Sequence, residues 1–194
     1  DLIMAAVNEA FRKGEETREA TMSKLQILIR LPRSWKGAVD ANTIAGPLRA
    51  RGVQGTDITF DTVSGDLRAA NLSAIALSLR TISGAIQAQG VSCDQLGLRT
   101  VSGKVTLNGV GCMSCRLSGV SADQRVEFSR PFDKLDATTV SGDIDLYAPL
   151  TQADIALRAV TGRVLTSGVS IVENAPQVRG TSVSGNLAIH CNLE

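Results

Sequence analysis

A hexapeptide that returns every 19 residues limits this chain more than any other feature of its sequence. Thr43-Ile44-Ala45-Gly46-Pro47-Leu48, Thr62-Val63-Ser64-Gly65-Asp66-Leu67, Thr81-Ile82-Ser83-Gly84-Ala85-Ile86 and Thr100-Val101-Ser102-Gly103-Lys104-Val105 start at that interval. Later copies begin at Thr139, Ala159 and Ser182, and Arg116-Leu117-Ser118-Gly119-Val120 reads as a degenerate copy between Thr100 and Thr139, which makes eight units. A unit this small holds short strands and a corner but encloses no core alone. It must bury its apolar face against copies of itself.

Apolar residues stand four and two positions before the motif: Ile58 and Phe60, Leu77 and Leu79, Leu96 and Leu98, Leu135 and Ala137, Ile155 and Leu157. That alternation, with a β-branched residue after the Thr, predicts strands. Val53, Leu72, Val91 and Val110 form a further ladder at the same spacing. The predicted fold is all-β: a single-stranded parallel β-helix of about eight coils over residues 23–194, with rungs about 4.8 Å apart. Gly46, Gly65, Gly84 and Gly103 should share one corner, and Ile58, Leu77, Leu96 and Cys115 one interior ladder. Strict alternation from Phe60 turns Thr62 and Ser64 inward and Val63 outward, unless a bulge intervenes. Both orientations stay open. The same stacking accounts for a chain with only four Phe, one Trp and one Tyr, because branched aliphatics and hydroxyls pack well on their own copies.

Residues 1–22 differ from the rest. Leu2, Ile3, Ala6, Val7, Ala10 and Phe11 recur at helical spacing, and Gly14 followed by charged residues resembles a helix end and linker. Such a helix either caps the open end of the solenoid or engages a partner. Lys24–Pro32 alternates and is expected to be the first strand. The opening at Asp1 without Met and the closing Leu193-Glu194 lead to the expectation of a longer parent protein. No run approaches the roughly 20 apolar residues of a membrane span, so membrane attachment would come through segments outside this chain.

A formal charge of +1 from 20 basic and 19 acidic residues argues against nucleic acid as partner. The single histidine, His190, removes most histidine-based nucleophile and metal chemistry, and neither a cofactor nor a metal is expected. Cys93 and Cys112 share a phase, close enough for a disulfide but with side chains pointing the same way, so a packed thiol pair is favoured over a bond. Cys112-Met113-Ser114-Cys115 has Cys-x-x-Cys spacing, yet Cys115 falls in the phase of an interior leucine. Asp133, Asp136, Asp143 and Asp145 cluster in sequence and are the candidates for acid–base or calcium chemistry on a polysaccharide. Against that, the chain lacks aromatic platforms and the motif's fifth position carries no persistent acid. Arg80 and Arg99 share one phase and Arg49 and Arg68 another, giving two short basic stripes that could hold an anionic polymer.

The Thr-Val/Ile-Ser-Gly-x-Val/Ile/Leu repeat, preceded by a segment ending in Leu31-Pro32, resembles the bacterial DUF4097 family over about residues 24–192. The resemblance implies a β-helix, an adhesin-like label, frequent association with the cell envelope and no established catalytic residues. The expected function is therefore a non-enzymatic structural or interaction module on a longer envelope protein. Its partner would be a protein or a cell-surface polymer. The alternatives are a polysaccharide-active β-helix and a cytosolic regulatory module.

Overall fold

The computed structural model describes residues 31–32 and 35–192. The helix expected over residues 1–22 lies outside them, as does the strand expected over Lys24–Pro32 apart from Leu31 and Pro32, which are not in a strand. The strands are, in chain order, β1 (Val39–Ala45), β2 (Leu48–Arg51), β3 (Asp57–Ser64), β4 (Leu67–Ser73), β5 (Ala76–Ser83), β6 (Ile86–Ser92), β7 (Gln95–Ser102), β8 (Val105–Gly111) and β9 (Ser114–Ser121). They continue with β10 (Gln124–Phe128), β11 (Lys134–Ser141), β12 (Ile144–Ala148), β13 (Gln152–Thr161), β14 (Val164–Ser167), β15 (Ser170–Ile171), β16 (Gln177–Ser184) and β17 (Leu187–Cys191). All their pairings are parallel. The fold is a parallel β-solenoid of eight coils, each giving one strand to each of two facing sheets.

The core is built from ladders that run through the coils. Ile58, Leu77, Leu96, Cys115 and Leu135 are in register and buried in the first sheet, as the sequence period predicts. Leu67, Ile86, Val105, Gln124 and Ile144 face them from the second. The open question about the motif is decided by burial: Thr62 is inside and Val63 outside. Alternation then breaks at Ser64, which is exposed where the chain turns into Gly65. At Thr139 the hydroxyl donates to the carbonyl ahead of that turn, Ser141 O at 3.0 Å, whereas the hydroxyls of Thr62 and Thr81 are buried without a partner.

At the corner, successive glycines nearly touch. Gly84 has φ +141°, and a Cβ there would lie 2.2 Å from the carbonyl oxygen of Gly65. No side chain fits in that space, and the backbone conformation is one that L-residues rarely adopt. The next motif position ties the coils together laterally: Asp66 Oδ1 accepts from Ala85 N at 3.1 Å, and Asp143 Oδ1 accepts from Asn186 N at 2.7 Å.

Two features depart from a simple reading of the period. The fifth coil's motif is Gly119-Val120-Ser121-Ala122-Asp123-Gln124, because Gly119 pairs with Thr100 and Ser121 with Ser102. Gly119 is thus not the corner residue expected from Arg116-Leu117-Ser118-Gly119-Val120. Placing it at the corner would slip the strand by three residues, an odd number, and would turn Cys115 and Leu117 out to solvent. The second departure is the order of the coils. The strand order is β1-β3-β5-β7-β9-β11-β16-β13-β15 in the first sheet and β14-β17-β12-β10-β8-β6-β4-β2 in the second. The last coil in sequence, β16 and β17, therefore lies between the sixth (β11 and β12) and the seventh (β13 and β14).

The revised register also explains Gln124. A Cβ on Gly119 would stand 2.5 Å from Gln124 Nε2, so the missing side chain of one residue makes room for the amide of the other. Gln124 is buried, and neither Oε1 nor Nε2 has a hydrogen-bond partner. Burying an unpaired amide costs about 1–3 kcal/mol. Replacing Gln124 by Met, which keeps the length and removes both polar atoms, should raise stability by about 1–2 kcal/mol in a denaturant melt. A lower midpoint would show that the amide is worth keeping in solution.

Candidate functional site

The outward residues of the first sheet carry the most continuous surface feature. The motif's second position places one β-branched residue per coil outside: Ile44, Val63, Ile82, Val101, Val120, Val140, Val183 and Val160, all exposed, from 42% at Val101 to 79% at Val160. At about 4.8 Å per rung this apolar column is about 34 Å long. The next column on the same face contains Asp61, Arg80 and Arg99 in register. Between the two columns lies a shallow depression of roughly 270 Å³, lined by Asp61, Val63, Arg80, Ile82, Arg99 and Val101 among others. Arg80 Nε is 3.9 Å from Asp61 Oδ1; the Arg80 side chain is mostly exposed, whereas Asp61 is half-buried and its Oδ1 is covered without a hydrogen-bond partner. A pair of that kind contributes little to stability. Among the described residues no carboxylate forms an ion pair with Arg99.

The four aspartates singled out from the sequence do not converge. Asp136 is on the outer face of the first sheet, its Oδ2 3.4 Å from Lys134 Nζ and 3.9 Å from Arg116 Nη2. Asp145 is on the second sheet, in register with Arg125. Asp143 is at the glycine corner, where its carboxylate caps the backbone of Asn186. Asp133 is in the bend before β11, and its carbonyl accepts from Gln177 N. Adjacent in sequence, they fall on different faces, because the strand alternates sides and then turns a corner. No two are arranged as an acid and base around one bond, and among the described residues no cluster of His, Cys, Asp or Glu is placed to hold a metal ion.

The second sheet carries a cluster that the sequence reading missed. The rings of Tyr147 and His190 stack with centroids 4.8 Å apart and planes at 21°, and the Arg125 guanidinium lies 4.5 Å from the centre of the Tyr147 ring. Tyr147 and His190 are in register on neighbouring strands. The sequence holds no signal for this contact, since it depends on the insertion of the last coil beside the sixth. With the histidine at one side and the guanidinium close over it, the ring is a stacked rung rather than an open platform for a sugar.

Three of the four cysteines are buried: Cys93, Cys112 and Cys115. All four are free thiols, as favoured from the sequence for Cys93 and Cys112. Arg130 closes over this corner, its Nη2 donating to Gly111 O at 2.9 Å and to Cys93 O at 3.3 Å. Burial and the neighbouring Cys112 push the Cys93 thiol up to about 12. The thiol–thiol hydrogen bond with Cys112, reinforced by burial, holds Cys115 well above the usual thiol range.

The repeat, the in-register glycine corner and the two-sheet solenoid together decide the family. The chain belongs to the Toastrack DUF4097 family, whose profile matches residues 11–191. No curated protein and no solved structure matches it. Among the described residues of this Toastrack chain no helix is long and apolar enough to cross a membrane.

The thiol corner of the Toastrack solenoid titrates in a defined direction. The unfolded Cys93 thiol loses its proton near 9.0, whereas the folded one keeps it to about 12. Above pH 9 the unfolded chain therefore binds fewer protons than the folded one, so stability is full below pH 9 and falls as pH rises towards 12. Chemical melts across that window should show the decline, and Cys93→Ala, though less stable at neutral pH, should show a shallower one. An unchanged slope in the variant would assign the decline to other groups.

Proposed function

We propose that this Toastrack solenoid is a non-enzymatic docking module that presents the outer face of its first sheet to a protein partner. The observation that carries this is the apolar column from Ile44 to Val160, which gives one half-exposed β-branched side chain to every coil. A column of this length exceeds the scattered exposed aliphatics of ordinary surfaces and suits an extended apolar contact. Arg80 and Arg99 beside it supply a charged rim that would orient an acidic partner. A protein fits this face better than a glycan does, because glycans favour open aromatic faces and the exposed ladder has none. Association with the bacterial envelope, which the family resemblance implies, belongs to the same proposal.

The face is tested by placing a photo-crosslinking residue at Val101 or, on the opposite sheet, at Asp145, in the organism that makes the protein. A discrete adduct from Val101 that is absent from Asp145, and that is lost when Ile82 and Val120 are changed to Lys, supports docking on the first sheet. Equal labelling from both sheets, or none from Val101, would overturn it. Outward substitutions such as these should shift stability by no more than about 0.5 kcal/mol each.

Catalysis is disfavoured by the dispersal of Asp133, Asp136, Asp143 and Asp145 over separate faces. Cell-wall glycans incubated with the protein should keep their chain length. Shortening that disappears in Asp143→Ala would make the chain a polysaccharide-active enzyme instead.

A further inference from the structure

The segment Gln177–Cys191 holds the last two strands in sequence among the described residues, yet it lies inside the stack. It is hydrogen-bonded on both sides: β16 pairs with β11 through Leu135↔Val178 and with β13 through Ile155↔Val178, and β17 pairs with β12 and with β14. Until this segment is in place, β11 and β13 are two rung spacings apart, about 9.6 Å, and each offers an unpaired edge. A single connection leads into the segment, through the exposed residues Val172, Glu173 and Asn174. Asn174 in it has φ +64°, a conformation uncommon outside glycine.

The slot is matched to the sequence of that segment. Leu157 occupies the space over Gly180, where a Cβ would meet Leu157 Cδ2 at 2.6 Å. At the corner Asp143 Oδ1 accepts from both N and Nδ2 of Asn186, and Asn186 Oδ1 accepts from Arg163 N at 3.0 Å. A foreign strand would meet the same backbone edges but would lack a glycine under Leu157 and an amide between Asp143 and Arg163. The occupant that satisfies every one of these contacts is this same segment, from this chain or from another copy.

We propose that the gap between the sixth and seventh coils is an acceptor site for the Gln177–Cys191 segment of a second copy, so that two chains can exchange their last coils. The physical basis is that the segment is joined to the seventh coil by one solvated connection through Val172–Asn174, and is held by contacts that do not distinguish its own chain from another. Exchange is independent of what docks on the first sheet. It becomes competitive during folding, when protein concentration approaches the roughly millimolar effective concentration of a short tether.

The test uses the 194-residue chain carrying Cys191→Ser. Thr138 and Thr181 are in register and exposed on neighbouring strands. One tagged copy carries Thr138→Cys and a differently tagged copy carries Thr181→Cys. The two are unfolded together, refolded at high concentration and treated with a short bismaleimide. Exchange predicts a cross-linked heterodimer several-fold above that from a control mixture of Asn42→Cys and Thr181→Cys. The double variant Thr138→Cys/Thr181→Cys should cross-link within one chain at low concentration. No excess over the control overturns the proposal, and so does failure of the double variant to cross-link. The same excess on mixing chains that were never unfolded would also overturn it, since that would mean surface contact without exchange.

Discussion

The carbonyl oxygen of each corner glycine occupies the place where the next coil's glycine would carry a side chain, as Gly65 does beneath Gly84. That approach sets the tightness of the turn from one sheet to the other, and the rest of the solenoid depends on it. With the corner this narrow, the Thr before it is drawn inside and the β-branched residue between them is left outside. The same geometry brings the side chain at the fifth motif position within reach of the backbone of the next coil, where Asp66, Asp123, Asp143 and Asn186 each accept an N–H. The acidic residues that suggested chemistry in the sequence are partly explained by this capping. At Asp123 and Asp143 a carboxylate is held by a backbone donor, which makes it a fastener between coils.

The fifth coil shows how the corner can be relaxed at one rung. Ala122 stands in the glycine position, Gly119 in the threonine position and Gln124 in an aliphatic ladder. The three changes are coupled through space, since the Gln124 amide lies over Gly119 and Ala122 lies against it. The result is a rung with a buried amide lacking a partner, flanked by rungs that are regular. A solenoid tolerates such a defect because each coil contacts only its neighbours.

The inserted last coil has a different consequence. It gives the stack a seventh rung that arrives after the eighth, and so brings together residues that no period would pair. Tyr147 rests on His190 instead of on a residue of the coil that follows it in sequence, and Asp143 caps the backbone of Asn186, 43 residues away. The coil that would otherwise close the stack in sequence order, β13 to β15, is left at its end with Val164, Leu165 and Ile171 exposed.

The sequence by itself determined the fold class, the approximate coil length, the interior ladders through Leu77, Leu96 and Cys115, and the glycine corner, because each is a local pattern repeated in phase and stacking turns repetition directly into contact. The tertiary structure alone decided three things. Burial against the opposite sheet chose Thr62 over Val63 for the interior and so created the exposed column. Register against the fourth coil moved the fifth motif by three residues, since only that register keeps Cys115 and Leu117 inside. The order of the last two coils, and with it the Tyr147–His190 contact and the acceptor gap, lies beyond any reading of the repeat. Two coils carrying equivalent motifs present equivalent edges, and the choice between them depends on non-local side-chain fit such as that of Leu157 over Gly180.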